Sequence, residues 1–259
     1  DHRIRYYVNE KNIGKNDLVA QWNYCLSLAR GEYVILATDD DTYEPSFLET
    51  FIPLIYDHPS IGIFRSAVIS INKSGDIIYL ENVLRPFMSQ AELLYKYMAN
   101  MVGGGIPQHI FKRDLLVKKG GFVSFPCAWG SDDATIISMA ENGIVSSSEY
   151  LVRFRWSDIN ISNDTSNATS RSKIKARLML FQWLDNIKDS VTYINSEFDL
   201  FFKHYIYSNF AYYKKSVIVR EFCNYPNIKS YFDISKSGIF SKKDMIAILY
   251  HYIKNRILR

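Results

Sequence analysis

The chain has 259 residues, 47% hydrophobic and 22% charged, with a formal net charge of +4, enough for one large domain or one domain plus an appendage. No apolar run reaches the roughly 20 residues that span a bilayer, and no secretory leader is expected, because Asp1-His2-Arg3 runs straight into a strand-like segment. Cys25, Cys127 and Cys223 are too scattered for a zinc ribbon or a disulfide framework, which favours a reducing, cytoplasmic setting.

The charge is uneven. Residues 1–170 hold 15 Lys and Arg against 20 Asp and Glu, whereas residues 171–259 hold 16 against 7. An acidic front and a basic back point to different partners.

RIRYYV (3–8) reads as a strand, followed by a turn-rich loop (9–16) in which Asn16 or Asp17 caps a helix over 18–30. Val19, Trp22, Leu26 and Ala29 share one face of that helix, and Gly31 ends it. EYVILAT (32–38) is a near-continuous apolar strand of the kind a parallel sheet buries on both faces. Pro45 opens a second helix, which Pro53 should kink or shorten. Then come a strand (61–71), a turn (72–76), a helix (90–101) ending at Gly103, Gly104 and Gly105, a loop from 120 to Asp132-Asp133, a short helix (134–143) and a strand (150–156). Strand–helix alternation over 1–156 predicts an α/β layered domain. Residues 157–172, rich in Ser, Asn and Thr, read as a polar linker. The sequons at Asn160, Asn163 and Asn167 reflect that composition. From 173 to 259 the pattern is helical and basic.

Asp39, Asp40 and Asp41 leave the C-terminal end of an apolar strand, where open α/β sheets bind ligands. Carboxylates so close repel one another unless a cation or hydrogen-bonded ligand holds them, and an oxygen-only set suits Mg²⁺ or Mn²⁺ bridging to a substrate's phosphates. The plainer alternative is that Asp39 or Asp41 caps the next turn. A phosphatase of the haloacid dehalogenase type is excluded: with Thr42 as its conserved Thr, Thr38 falls at the nucleophile, and with Asp39 as nucleophile, Tyr43 falls at the Thr. An EF-hand loop is excluded by its missing mid-loop Gly and by Tyr43 at a ligand position.

The run NEKNIGKNDLVAQWNYCLSLARGEYVILATDDDTYEPSFLE resembles the nucleotide-binding domain of family 2 glycosyltransferases of the GT-A fold. GGF (120–122) followed by WGSDDATIISMAENG resembles that family's second conserved segment, so the likeness covers roughly 3–156. It implies a Rossmann-like, mostly parallel sheet followed by the helical basic region, and an inverting transfer from a nucleotide-diphosphate sugar, UDP-linked by preference, to a glycan or lipid-linked acceptor. Asp40 would hold the divalent cation, with Asp39 beside it on ribose or metal and Asp41 assisting through the metal's waters. Asn12, Gly14 and Asn23 fall in the donor-binding run. Asp133 aligns with the catalytic base, and Asp132 stands where the family more often has Glu, which leaves open which carboxylate is the base. Trp129 lies where the acceptor is met, for stacking or for packing.

Two features depart from the pattern. The chain begins at about the family's third strand, as though N-terminally truncated, without the segments that contact the base. Trp156 stands near the point where many relatives have a metal-binding His. A non-catalytic, GT-A-like binding remnant is therefore the alternative reading. The glycines 103–105 read as a flexible loop or a close approach to sugar, and His109 as a buried, satisfied side chain or a phosphate contact. In residues 242–259, Met245, Leu249, Tyr252 and Ile253 form an apolar stripe opposite Lys242, Lys243, Lys254, Arg256 and Arg259. The stripe fits the protein's own core or an anionic membrane surface. No nucleic-acid motif interleaves aromatics with this charge.

Overall fold

The computed structural model describes residues 1–103, 105–156, 164–193 and 197–257, without the side chain of Arg256. Gly104, Asn160, Asn163 and Arg259 lie outside them. The sheet is built around β3 (Ile63–Ile71), whose side chains are buried on both faces, as its run of Ile, Phe and Val requires. Its neighbours are β7 (Ile144–Arg155), parallel to it, and β6 (His109–Lys112) and β4 (Ile77–Leu80), both antiparallel. β1 (Tyr33–Val34) pairs with β6, while β2 (Thr42–Tyr43) and β5 (Phe87–Met88) pair with β7. All pairs but β3–β7 are antiparallel, so the sheet is mixed, where a mostly parallel one was expected.

The apolar segment 32–38 pairs only through two residues at a sheet edge and is half-buried, which corrects its reading as a central parallel strand. Residues 3–8 form no strand; Ile4, Tyr6 and Val8 stay exposed. A strand exists only through a neighbour's backbone hydrogen bonds, and no described strand lies beside these residues.

Helix α1 (Leu18–Leu28) begins where Asp17 accepts from the Ala20 N–H (2.9 Å). Helix α2 (Phe47–Asp57) runs through Pro53 without ending, held by Phe47 and Phe51 against Phe64, Val68 and Val152 on one face of the sheet. On the other face lie α1, α3 (Gln90–Met98, capped by Ser89), α4 (Arg113–Lys118) and α5 (Ser131–Met139). They share one apolar cluster with the C-terminal helices α6 (Asn167–Ile187), α7 (Glu197–Asn224), α8 (Ile228–Lys236) and α9 (Lys242–Ile257). Residues 167–172, read as linker, form the first turns of α6 behind the cap of Ser166. Polar ties reinforce this packing: Ser89 Oγ donates to Asp199 Oδ1 (2.6 Å) and Thr192 N–H to Gln90 Oε1 (2.9 Å).

Helix α9 divides the expected apolar stripe. Met245, Ile248 and Tyr252 pack on the core, while Leu249 and Ile253 stay exposed with Ile246, Tyr250 and Ile257. No helix among the described residues is long and apolar enough to cross a membrane.

Candidate active site

β1 and β2 lie at opposite ends of the strand order β1-β6-β3-β7-β2. Residues 35–41 must therefore carry the chain across the sheet. Four strand spacings come to about 19 Å, and seven extended residues reach about 25 Å, so the segment has little slack. It ends in the three aspartates, beside the last residue of β7. There Arg155 gathers two loops: its N–H donates to Asp41 Oδ1 (2.8 Å), its Nε to the Asp40 carbonyl (3.1 Å), and its Nη1 to the carbonyls of Asn72 (3.1 Å) and Lys73 (3.0 Å).

The three aspartates differ. Asp41 accepts from Thr38 Oγ1 as well as from the Arg155 N–H, and burial lifts its carboxyl above the usual range. It stitches the crossing segment to β7. The carboxylates of exposed Asp39 and half-buried Asp40 meet no hydrogen-bond donor among the described residues. Two unpaired, oxygen-only ligands on a pinned backbone fit a hard divalent cation that fills its remaining positions with water and phosphate oxygens. No group of three or more His, Cys, Asp or Glu placed to hold a metal occurs among the described residues. Trp156, the residue near the family's His, packs edge-on against Phe154 (5.7 Å).

The second acidic group is built differently. Gly130, with φ +85°, precedes α5, so Asp132 and Asp133 fall in that helix's first turn, where its dipole favours negative charge. Asp133 Oδ2 accepts from Tyr97 Oη (2.8 Å) and lies 3.7 Å from Arg177 Nη1. Asp132 Oδ1 accepts from the Asp133 N–H (2.9 Å). Burial first, and the charge of Asp133 second, push the Asp132 carboxyl up to about 7.

Residues 105–109 link the two groups. Tyr43, two residues after Asp41, donates from its Oη to the Pro107 carbonyl (2.7 Å). Gly103 and His109 line a cavity of about 20 Å³, room for one water, together with Arg65, Tyr97 and Asp133. Buried Arg65 pairs with Glu81 (2.6 Å). His109 Nδ1 bonds the Gly105 carbonyl (2.8 Å), and burial together with the Arg65 charge lowers its imidazole to about 3, so it is a neutral, satisfied side chain.

Other expected donor-side residues serve the fold. Asn23 clamps the Gly-Gly-Phe turn: its Oδ1 accepts from the Phe122 N–H (2.8 Å) and its Nδ2 donates to the Phe122 carbonyl (3.1 Å). Gly121 is needed there, since φ is +86° and a Cβ would sit 2.3 Å from Asn23 Oδ1. Two stretches of the family-like pattern, 99 residues apart, are thus direct partners. Asn12 accepts from the Lys15 N–H (3.0 Å), and Gly14 lies beside Gln21. Trp129 donates to Glu221 Oε1 (3.2 Å), with Lys173 Nζ 4.7 Å and Arg177 5.3 Å from its ring, so the indole is already packed by cations. The sequence reading missed Arg155, Tyr97, Arg177 and Glu221. Only their partners mark them out, and those are remote in sequence.

Residues 1–120 match the family described as Glycosyl transferase family 2. The matched stretch, a little under half of the chain, is similar to that family. The match ends before Asp132 and Asp133. Among solved structures, S. aureus TarS 1–349 is 12% identical, with 97% of this chain and 74% of that one covered and a TM-score of 0.55. The same protein in complex with UDP-GlcNAc is 12% identical, with 90% of this chain and 66% of that one covered and a TM-score of 0.52. This chain therefore spans about two thirds to three quarters of the TarS chains it resembles, and it shares with them the GT-A fold.

Proposed function

We propose that this chain transfers a sugar from a nucleotide-diphosphate donor to a glycan or lipid-linked acceptor, with inversion. The observation that carries the reading is the placing of two unlike acidic groups, joined through residues 105–109: open carboxylates at Asp39 and Asp40, and an enclosed pair at Asp132 and Asp133. Asp39 and Asp40 are the residues that would hold Mn²⁺ or Mg²⁺, which when bound offsets the charge of the departing diphosphate. Arg155 fixes the backbone that presents them. On the other side a carboxylate takes the proton of the acceptor hydroxyl as its oxygen bonds to the anomeric carbon and the bond to the diphosphate breaks. Asp133 is engaged by Tyr97 and Arg177, which makes Asp132 the better candidate for that base, one residue before the position the family alignment implies.

S. aureus TarS was crystallised with UDP-GlcNAc, which makes UDP the nucleotide to test first. Calorimetry should show Mn²⁺-dependent UDP binding that Asp40→Asn weakens while the fold stays intact. Equal metal-dependent affinity in the mutant removes Asp40 from the site, and no UDP binding by the parent chain favours the non-catalytic remnant.

The exposed side of α9 supports peripheral contact with an anionic membrane. Ile246, Leu249, Tyr250 and Ile253 are open to solvent beside Lys242, Lys243 and Lys254. Each Lys near such a surface contributes about 1 kcal/mol, and salt screens the attraction. Co-sedimentation should favour anionic over neutral vesicles and be lost when the three lysines become Glu; equal sedimentation with both lipids refutes it. Three free cysteines support a reducing, cytoplasmic setting.

A further inference from the structure

Arg177 stands on α6, beyond the family match, yet it reaches the acidic pair. Its side chain is 13% exposed. Nε donates to Glu221 Oε1 (3.0 Å), and Nη1 donates to Tyr97 Oη (3.4 Å) and lies 3.7 Å from Asp133 Oδ2. Tyr97, from α3, donates to that same Oδ2 (2.8 Å). Glu221, from α7, also accepts from Trp129. Two helices, α3 and α6, thus reach one carboxylate oxygen of α5, and α7 braces the arginine. Gly130 leaves the space: a Cβ there would stand 3.3 Å from Arg177 Nη1 and 3.8 Å from Asp133 Oδ2.

We propose that Arg177 is a positioning residue: braced by Glu221, it fixes Asp133 through Oδ2 and leaves Asp132 as the carboxylate that exchanges a proton with the acceptor. The proposal rests on reading Asp132 and Asp133 as the acceptor-side carboxylates. Among the described residues, the carboxylate of half-buried Asp132 meets the backbone N–H of its neighbour and no other side chain, which leaves it able to load and release a proton. Two carboxylates this close do not ionise with equal ease, and Asp133 is the one that meets the cation and the hydroxyl. The charged and titratable groups around the pair are Tyr97 from α3, Arg177 and Lys173 from α6, Tyr213, Arg220 and Glu221 from α7, and Arg65 and His109 across the small cavity. Of these, Tyr97 and Arg177 contact Asp133 itself.

The test compares the parent chain with Arg177→Gln, Arg177→Lys and Glu221→Gln. Carboxyl ¹³C NMR of the Asp-labelled chain gives the titration midpoint of the pair, and UDP-sugar turnover in water gives kcat, KM and their pH profiles. Arg177→Gln should raise the midpoint, and with it the acid limb of kcat, by about one pH unit or more, with donor KM unchanged. Arg177→Lys should restore most of the shift, and Glu221→Gln should give a smaller one in the same direction. A midpoint unmoved in Arg177→Gln overturns the proposal whatever turnover does. If that variant fails to fold, midpoints unmoved in both Arg177→Lys and Glu221→Gln overturn it, and a rise in Glu221→Gln upholds it. A midpoint that shifts while Asp132→Asn keeps full turnover upholds the positioning role and overturns the reading of Asp132 as base.

Discussion

The two acidic groups contain the same side chain in opposite surroundings. Asp39 and Asp40 end an extended crossing segment, face solvent and meet no hydrogen-bond donor among the described residues. Asp132 and Asp133 open a helix, are partly enclosed by three other helices, and one of them is tied to a hydroxyl and a guanidinium. A carboxylate in water keeps its charge and lends it to a cation; one taken from water beside a second carboxylate holds its proton to higher pH. On the proposed function, burial and partners, more than residue type, would divide leaving-group work from proton transfer.

The largest effect that would sharpen this contrast is expected from Asp132→Asn. Turnover should fall by about 10²–10⁴-fold, the usual contribution of a positioned base, with donor affinity retained. If Asp133→Asn gives the larger loss of turnover, the assignment within the pair is reversed. In the parent chain turnover should rise as pH climbs through about 7, because the raised Asp132 carboxyl must lose its proton to act. A flat profile from pH 5 to 8 breaks the assignment. The sign for stability is the opposite. A carboxyl raised in the fold binds protons that the unfolded chain has lost, so stability falls as pH rises from the ordinary carboxylate range to about 7. Urea melts should show that slope in the parent and a shallower one in Asp132→Asn.

The smallest effect tests the first group from within. Asp41→Asn weakens the acceptor for Thr38 and the Arg155 N–H and should cost about 1–3 kcal/mol in urea unfolding. Asp39→Asn, on an exposed carboxylate, should stay within about 0.5 kcal/mol. Equal losses would mean that Asp39 is structural as well.

Sequence reading located both acidic groups but not their internal division of labour. Asp41 looked like its neighbours until Arg155 was seen to hold it, and Asn23 looked like a donor ligand until Phe122 was found across from it. Trp129 suits a sugar face by type alone, yet Lys173, Arg177 and Glu221 already occupy it.

What the sequence by itself determined was local: the helix that Asp17 caps, the apolar run of β3, the turn after Asn72 and the order of segments that marks the family. Each is settled by interactions among residues a few positions apart, whose free energies can be read from neighbours in the chain. Tertiary structure alone decided that β1 lies at an edge in antiparallel pairing, that 3–8 is unpaired, that Asn23 meets Phe122, and that Arg177 meets Asp133. Pairings of this kind join residues up to 115 positions apart, as Asp40 and Arg155 are. Such contacts are fixed by how sheet faces and helices fill space together, and no spacing along the chain encodes that.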